Sequence, residues 1–188
     1  MIKRLMTFTL LLLLGGAMAA HAAPTLTIIP ANGALIGAPG TTVGWGFSLY
    51  NDSATANLYV NLVSADGSLA AGAYPNGLGN FADAIATWSL GTLTLAPHQI
   101  FTGTMADGHP LATFAISLNA PLSAVPVSGN INVYWEQNSG GPDWNYYDSG
   151  VLSALASVTT VPEPSAYILL FLSLGVVGYA RKKMKHQV

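Results

Sequence analysis

Hydrophobic and polar positions alternate with a period of two through most of the region 23–160. Val43, Trp45, Phe47 and Leu49 alternate with Gly44, Gly46, Ser48 and Tyr50, the pattern of a strand that buries one face. Leu58, Val60 and Leu62 alternate with Tyr59 and Asn61, and Asn51-Asp52-Ser53 between the two runs predicts a hairpin turn. Asp66-Gly67 closes the second strand. Leu93 and Leu95, then Phe101, Gly103 and Met105, form two further short runs separated by Pro97-His98. Ala112, Phe114, Ile116 and Leu118 form the next, ended by Asn119-Ala120-Pro121, and Ile131, Val133 and Trp135 alternate with Asn132, Tyr134 and Glu136. Leu26 and Ile28 supply a short first strand. Short strands with turn residues between them predict an all-β domain built as a β-sandwich, with an immunoglobulin-like arrangement as the fold-level expectation.

Two segments fit either period. Phe81, Ile85 and Trp88 stand at helical spacing, with Asn80 placed as an N-cap and Asp83 as its third-position acid, so a short helix is expected there, although Thr87-Trp88-Ser89-Leu90 also reads as the start of a strand. Val151–Val158 is expected as a final strand. No repeat appears at solenoid or propeller periods.

The alternation stops at both ends of the chain, and uncharged, largely apolar runs take its place. Lys3-Arg4 precedes the uncharged ten-residue stretch Leu5–Leu14, apolar but for Thr7 and Thr9, and the small residues of Ala17–Ala23 follow. This is the order of a secretory signal peptide, residues 1–22, with Ala20-His21-Ala22 as the signal-peptidase site before Ala23. At the other end, Ala166–Ala180 is fifteen residues without a charge. As a helix it would be roughly 22 Å long, against a hydrocarbon core of about 30 Å. Tyr167 and Tyr179 suit the two interfaces, and the long side chains of Arg181 and Lys182 extend into the headgroup layer. Arg181, Lys182, Lys183 and Lys185 follow the span and no base lies near its other end, which predicts a transmembrane helix with a cytoplasmic C-terminus.

Pro162-Glu163-Pro164 lies just before this span. Two prolines remove amide donors and hold the tripeptide extended, as a processing enzyme or a simple hinge would require. The order tripeptide, apolar span and basic cluster over residues 161–188 resembles the PEP-CTERM sorting signal of Gram-negative bacteria. The resemblance implies recognition by an exosortase, cleavage near Pro162, Glu163 and Pro164, and release or transfer to the cell surface. It also implies a cell that makes exopolysaccharide. Export itself implies the Sec translocon and signal peptidase as partners and a transient stay in the inner membrane.

Charge changes the picture of the body, residues 23–160. All six Lys and Arg residues (Lys3, Arg4, Arg181, Lys182, Lys183 and Lys185) lie in the two ends. The body holds only acids: Asp52, Asp66, Asp83, Asp107, Glu136, Asp143 and Asp148. No Lys or Arg is present to pair with them, so apolar burial and backbone hydrogen bonding must hold the fold. No phosphate clamp can be built either, which argues against nucleic-acid binding, and an anionic polysaccharide would be repelled without a bridging cation. The chain has no cysteine, which excludes disulfides, zinc–thiolate sites and thiol nucleophiles. Trypsin is therefore expected to leave Ala23–Pro164 uncut even after full unfolding. A gel of the denatured digest checks this, and any fragment ending inside that interval would contradict it.

Candidate chemistry is sparse. Asp107-Gly108-His109 could begin a metal site, but turn propensity explains all three residues, and no metal or cofactor is expected. Glu136, Asp143 and Asp148 are the one acid group a hydrolase could draw on, and no nucleophile-elbow, metalloprotease or phosphate-loop motif is present. The loop Asn138–Asp148 gathers Trp144, Tyr146 and Tyr147 beside Trp135, among Asn and Asp residues, as a possible face for sugar rings; packing across a hairpin is the plainer use of such residues. The expected protein is a non-enzymatic, exported β-domain of the cell surface or extracellular matrix, structural or adhesive in an exopolysaccharide or biofilm setting. A polysaccharide-binding module using the 134–147 segment and a secreted hydrolase are the alternatives.

Overall fold

The computed structural model describes residues 23–70, 77–89, 91–122, 126–138 and 146–162, together with Phe171, Leu172 and Leu174. Among these, the chain forms ten strands: β1 (Thr25–Ile29), β2 (Ala34–Gly37), β3 (Thr42–Tyr50), β4 (Asn57–Ala65), β5 (Gly79–Asp83), β6 (Leu93–Leu95), β7 (Ile100–Gly103), β8 (Ala112–Ile116), β9 (Val127–Asn138) and β10 (Tyr146–Thr160). One helical turn, α1 (Ile85–Trp88), follows β5.

The strands form two five-stranded sheets. The first has the order β1-β3-β8-β5, with β7 also beside β3; the second has the order β2-β10-β9-β4-β6. β3 is long enough to serve two neighbours on one side: its first half pairs β8 and its second half pairs β7. The pairings are antiparallel, except that β2 runs parallel to the end of β10.

Apolar residues of both sheets make one core, as the alternation requires. Trp45, Phe47 and Leu49 of β3 and Phe114 and Ile116 of β8 belong to the same buried cluster as Leu58, Val60 and Val63 of β4 and Ile131 and Val133 of β9. Each fully buried large side chain contributes about 1.5–3 kcal/mol. The indole nitrogen of Trp45 donates to Gly33 O at 2.8 Å, so this fully buried ring leaves no polar atom unsatisfied. Trp88 of α1 stacks on Phe101 of β7 with ring centroids 5.4 Å apart and donates to Pro110 O.

Several details depart from the alternation. Leu62, expected inward, is 49% exposed, and Val63 takes its place in the core. A register shift between Val60 and Leu62 explains the exchange: Asn61 is an extra residue opposite β9, and it turns every later side chain of β4 over. β7 ends at Gly103 and leaves Met105 in an exposed turn, and Leu118 lies beyond the end of β8. The helix is shorter than its spacing predicts. Asn80 pairs with Ala115 inside β5, the N-cap is Ala84, and Asp83 just before it accepts from Ala86 N through one carboxylate oxygen and from Val63 N through the other.

The predicted hairpin between β3 and β4 does not form, because the two strands belong to different sheets. Asn51 accounts for the crossing. Its buried side-chain amide donates to Ala56 O, Leu95 O and Ala96 O at 2.9–3.1 Å, while its oxygen accepts from Ser53 N and from Gln137 Nε2. One side chain thus ties the end of the first sheet to β6 and β9 of the second. The same bonds occupy the nitrogen that the Asn51-Asp52-Ser53 sequon would offer for glycosylation and bury it from solvent.

Candidate functional site

The last strand leads directly into the sorting segment. Thr160 pairs with Gly37, its hydroxyl donates to Pro121 O at 2.6 Å, and Val161 N donates to Gly37 O at 3.0 Å. Pro162 comes next, and proline has no amide with which to continue the ladder. The described strands therefore end before the tripeptide, and a cut within or beyond Pro162-Glu163-Pro164 removes none of them. Glu163, Pro164, Arg181, Lys182, Lys183 and Lys185 lie outside the described residues, as do Ala20 and Ala22 of the expected signal-peptidase site; Ala23 is exposed at the start of the body. Phe171, Leu172 and Leu174 of the expected span are helical. No helix among the described residues is long and apolar enough to cross a membrane, and the rest of Ala166–Ala180 lies outside them.

The aromatic group of the β9–β10 hairpin separates into different locations. Trp135 is 7% exposed and belongs to the core cluster, close against Gly150 of β10. Trp144 lies outside the described residues; the backbones of Tyr146 and Tyr147 begin β10. Tyr134, one position from Trp135, is 41% exposed on the outer face of the second sheet.

Strand register assembles the surroundings of Tyr134. Leu62 of β4 and Val151 of β10 lie directly opposite it on either side, so three exposed apolar side chains form one row across three strands. The next row toward the hairpin is Tyr59, Glu136 and Ser149; the row on the other side is Ser64, Asn132 and Ser153. An open recess of about 310 Å³ lies between the apolar row and the Glu136 row, lined by Asn61, Tyr134, Trp135, Glu136, Ser149, Gly150 and Val151. The bulge that turned Leu62 outward also places Asn61 at its side. The 134–147 segment alone supplies Tyr134, Trp135 and Glu136; Leu62, Asn61 and Val151 join them only through strand register, and Leu62 only because of the bulge.

Below it, the polar groups bond to one another. Asp66 accepts from the backbone and side-chain amides of Asn130 and from Asn132, and Ser153 donates to Asn132. The backbone amide of Asn130, then its side-chain amide, hold the Asp66 carboxyl below the usual carboxylate range. A depressed folded pKa stabilises the fold above the carboxylate's ordinary pKa, and that contribution is lost as pH falls through the lowered value. Asp66→Asn is accordingly expected to reduce the acid dependence of unfolding below the usual carboxylate range; an unchanged acid limb would show that this cluster does not contribute.

Asp107 and His109 are part of a turn. Asp107 accepts from Thr104 N and His109 N, and the backbone amide of Thr104 is the main cause of its lowered pKa. The His109 ring stands edge-on to Trp88 at 5.0 Å. Among the described residues no three His, Cys, Asp or Glu side chains gather as metal ligands would. Asp148 pairs with Gln137 while Ser149 pairs with Glu136, so strand alternation puts Asp148 and Glu136 on opposite faces of the sheet; Asp143 lies outside the described residues.

The described body is thus a two-sheet β-protein whose final strand feeds a short C-terminal tail. That tail, residues 160–184, matches the PEP-CTERM protein-sorting motif. The chain therefore carries an exosortase-dependent sorting signal, which implies an exported, transiently membrane-anchored protein with an exosortase as partner. No curated protein matches the sequence at a significant level. Among solved structures, the chain is similar to PapD-like domain 7 of human CEP192, with 13% identity, a TM-score of 0.35 and coverage of 73% of this chain and 85% of that one. A chain of the CaDoc0917–CaCohA2 complex shows 15% identity and a TM-score of 0.30 over 74% of this chain and all of that one. A family 123 glycoside hydrolase from Clostridium perfringens shows 12% identity and a TM-score of 0.31 over 76% of this chain and 28% of that one.

Proposed function

We propose that the chain is an exported surface or extracellular-matrix protein, cleaved by an exosortase near Pro162-Glu163-Pro164 and delivered as a β-sandwich with a structural or adhesive role. The junction carries this reading: among the described residues, the last backbone bond to the β-domain is made by Val161, immediately before the tripeptide. In this reading the signal peptide, residues 1–22, directs export through the Sec translocon, and Ala166–Ala180 holds the precursor in the inner membrane. Arg181, Lys182, Lys183 and Lys185 keep its C-terminus cytoplasmic until processing. The product carries only acidic side chains beside neutral ones, a composition that favours solubility among other acidic surfaces.

Replacing Pro162, Glu163 and Pro164 together with alanine in the source cell tests the proposal. The variant is expected to accumulate uncut in the membrane fraction with its fold intact. Unchanged release or surface delivery of the variant would overturn the assignment of the tripeptide as the recognition element.

A further inference from the structure

We infer that the outer face of β4, β9 and β10 is a binding surface for a neutral glycan, centred on Tyr134. Three observations carry the inference. The first is the apolar row Leu62–Tyr134–Val151, in register across three adjacent strands and exposed along its whole length. Exposed side chains at neighbouring positions form a patch, and a patch rimmed by polar groups is how a soluble surface presents a contact site.

The second is the state of the polar groups at the recess. The side chains of Asn61, Tyr134 and Glu136 have no hydrogen-bond partner among the described residues, whereas Asp66, Asn130, Asn132 and Ser153, farther down the face, bond to one another. The recess therefore offers uncommitted groups of both kinds: an amide and a phenol that donate, and a carboxylate that accepts. A sugar ring matches this arrangement. Its C–H face lies on the Tyr134 ring and the apolar row, while hydroxyls at its rim, each both donor and acceptor, meet Asn61 and Glu136.

The third is charge. No Lys or Arg lies in the body, so nothing on the face attracts a uronic acid, a sulfate or a phosphate, and Glu136 repels them. The same carboxylate argues against a second copy of this chain, since a two-fold contact through this face would bring Glu136 toward Glu136 with no positive side chain between them. A neutral, hydroxyl-rich ligand meets the apolar row and the free polar groups without that penalty.

An array of neutral glycans and uronate- or sulfate-bearing glycans, probed with the full chain in mild detergent, tests the inference. Binding is expected on neutral glycans, about tenfold weaker for Tyr134→Ala once its stacking face is lost, and also weakened for Glu136→Gln. Ile100→Ser, on an exposed position of the other sheet, should bind as the parent does. Circular dichroism of each variant separates lost contact from lost fold; Tyr134→Phe, which keeps the ring, serves if the alanine variant unfolds, and should retain most of the binding. Absence of binding to every glycan, a preference for acidic glycans, or binding indifferent to both Tyr134→Ala and Glu136→Gln would overturn the inference. None of these outcomes bears on the sorting motif, whose test is separate.

Discussion

Asn51→Asp is expected to be the most damaging single-atom change in the body. The amide nitrogen of Asn51 faces three carbonyl oxygens, those of Ala56, Leu95 and Ala96, in a fully buried site. A carboxylate there would turn three attractive contacts into repulsive ones, and the body has no Lys or Arg to compensate a buried charge. An uncompensated buried charge of this kind costs about 3–5 kcal/mol, a large part of a small domain's stability. Burial would raise the folded pKa of the new carboxyl above its unfolded value. Stability is then least impaired at acid pH and falls as pH rises through the unfolded pKa, by about 1.4 kcal/mol per unit until the folded pKa is reached. Urea unfolding of the parent and variant at pH 4 and pH 7 should show the gap widening at pH 7. A gap independent of pH would mean that the site is hydrated.

Gln137→Met provides the contrast. It removes one donor to Asn51, whose oxygen keeps the bond from Ser53 N, so a loss of about 1 kcal/mol is expected. The arch between the sheets is thus expected to depend on Asn51 far more than on Gln137.

The second large effect is expected at Trp45. It is fully buried, lies 6.3 Å from Phe81 between ring centroids, and ties β3 to the β1–β2 turn through Gly33 O. Trp45→Ala should destabilise by about 3–5 kcal/mol, the usual cost of emptying an aromatic site in a core that does not collapse around it. Trp45→Phe should cost much less, because Gly33 O still accepts from Ser157 N at 2.9 Å when the indole donor is gone. Equal losses for the two variants would place the energy in the hydrogen bond instead of the packed ring. Chemical denaturation of both variants decides between these.

The sequence made some of this legible and hid the rest for physical reasons. The runs around Phe47, Phe114 and Val133 are long and strictly alternating, so their buried faces were evident from the order of residues alone. β2 and β5 are short and end or begin on glycine, and their residues find partners only through tertiary pairing. The bulge at Asn61 reverses Leu62–Ala65 without leaving a mark in composition. Asn51 carries ordinary turn chemistry, and only burial between two sheets makes it a crossing point. The sorting tail is different in kind: a linear signal read by another protein must be contiguous, so tripeptide, span and basic cluster appear in the sequence as they are used. The Tyr134 surface is assembled from three strands and appears only once their register is known.

The central claim, that this β-domain is exported and then freed of its membrane tail, is tested most directly by the intact mass of the native protein recovered from outside the cell. The expected mass corresponds to a chain that begins near Ala23 and lacks Arg181–Val188. A mass that retains the basic tail would contradict processing at the Pro-Glu-Pro junction.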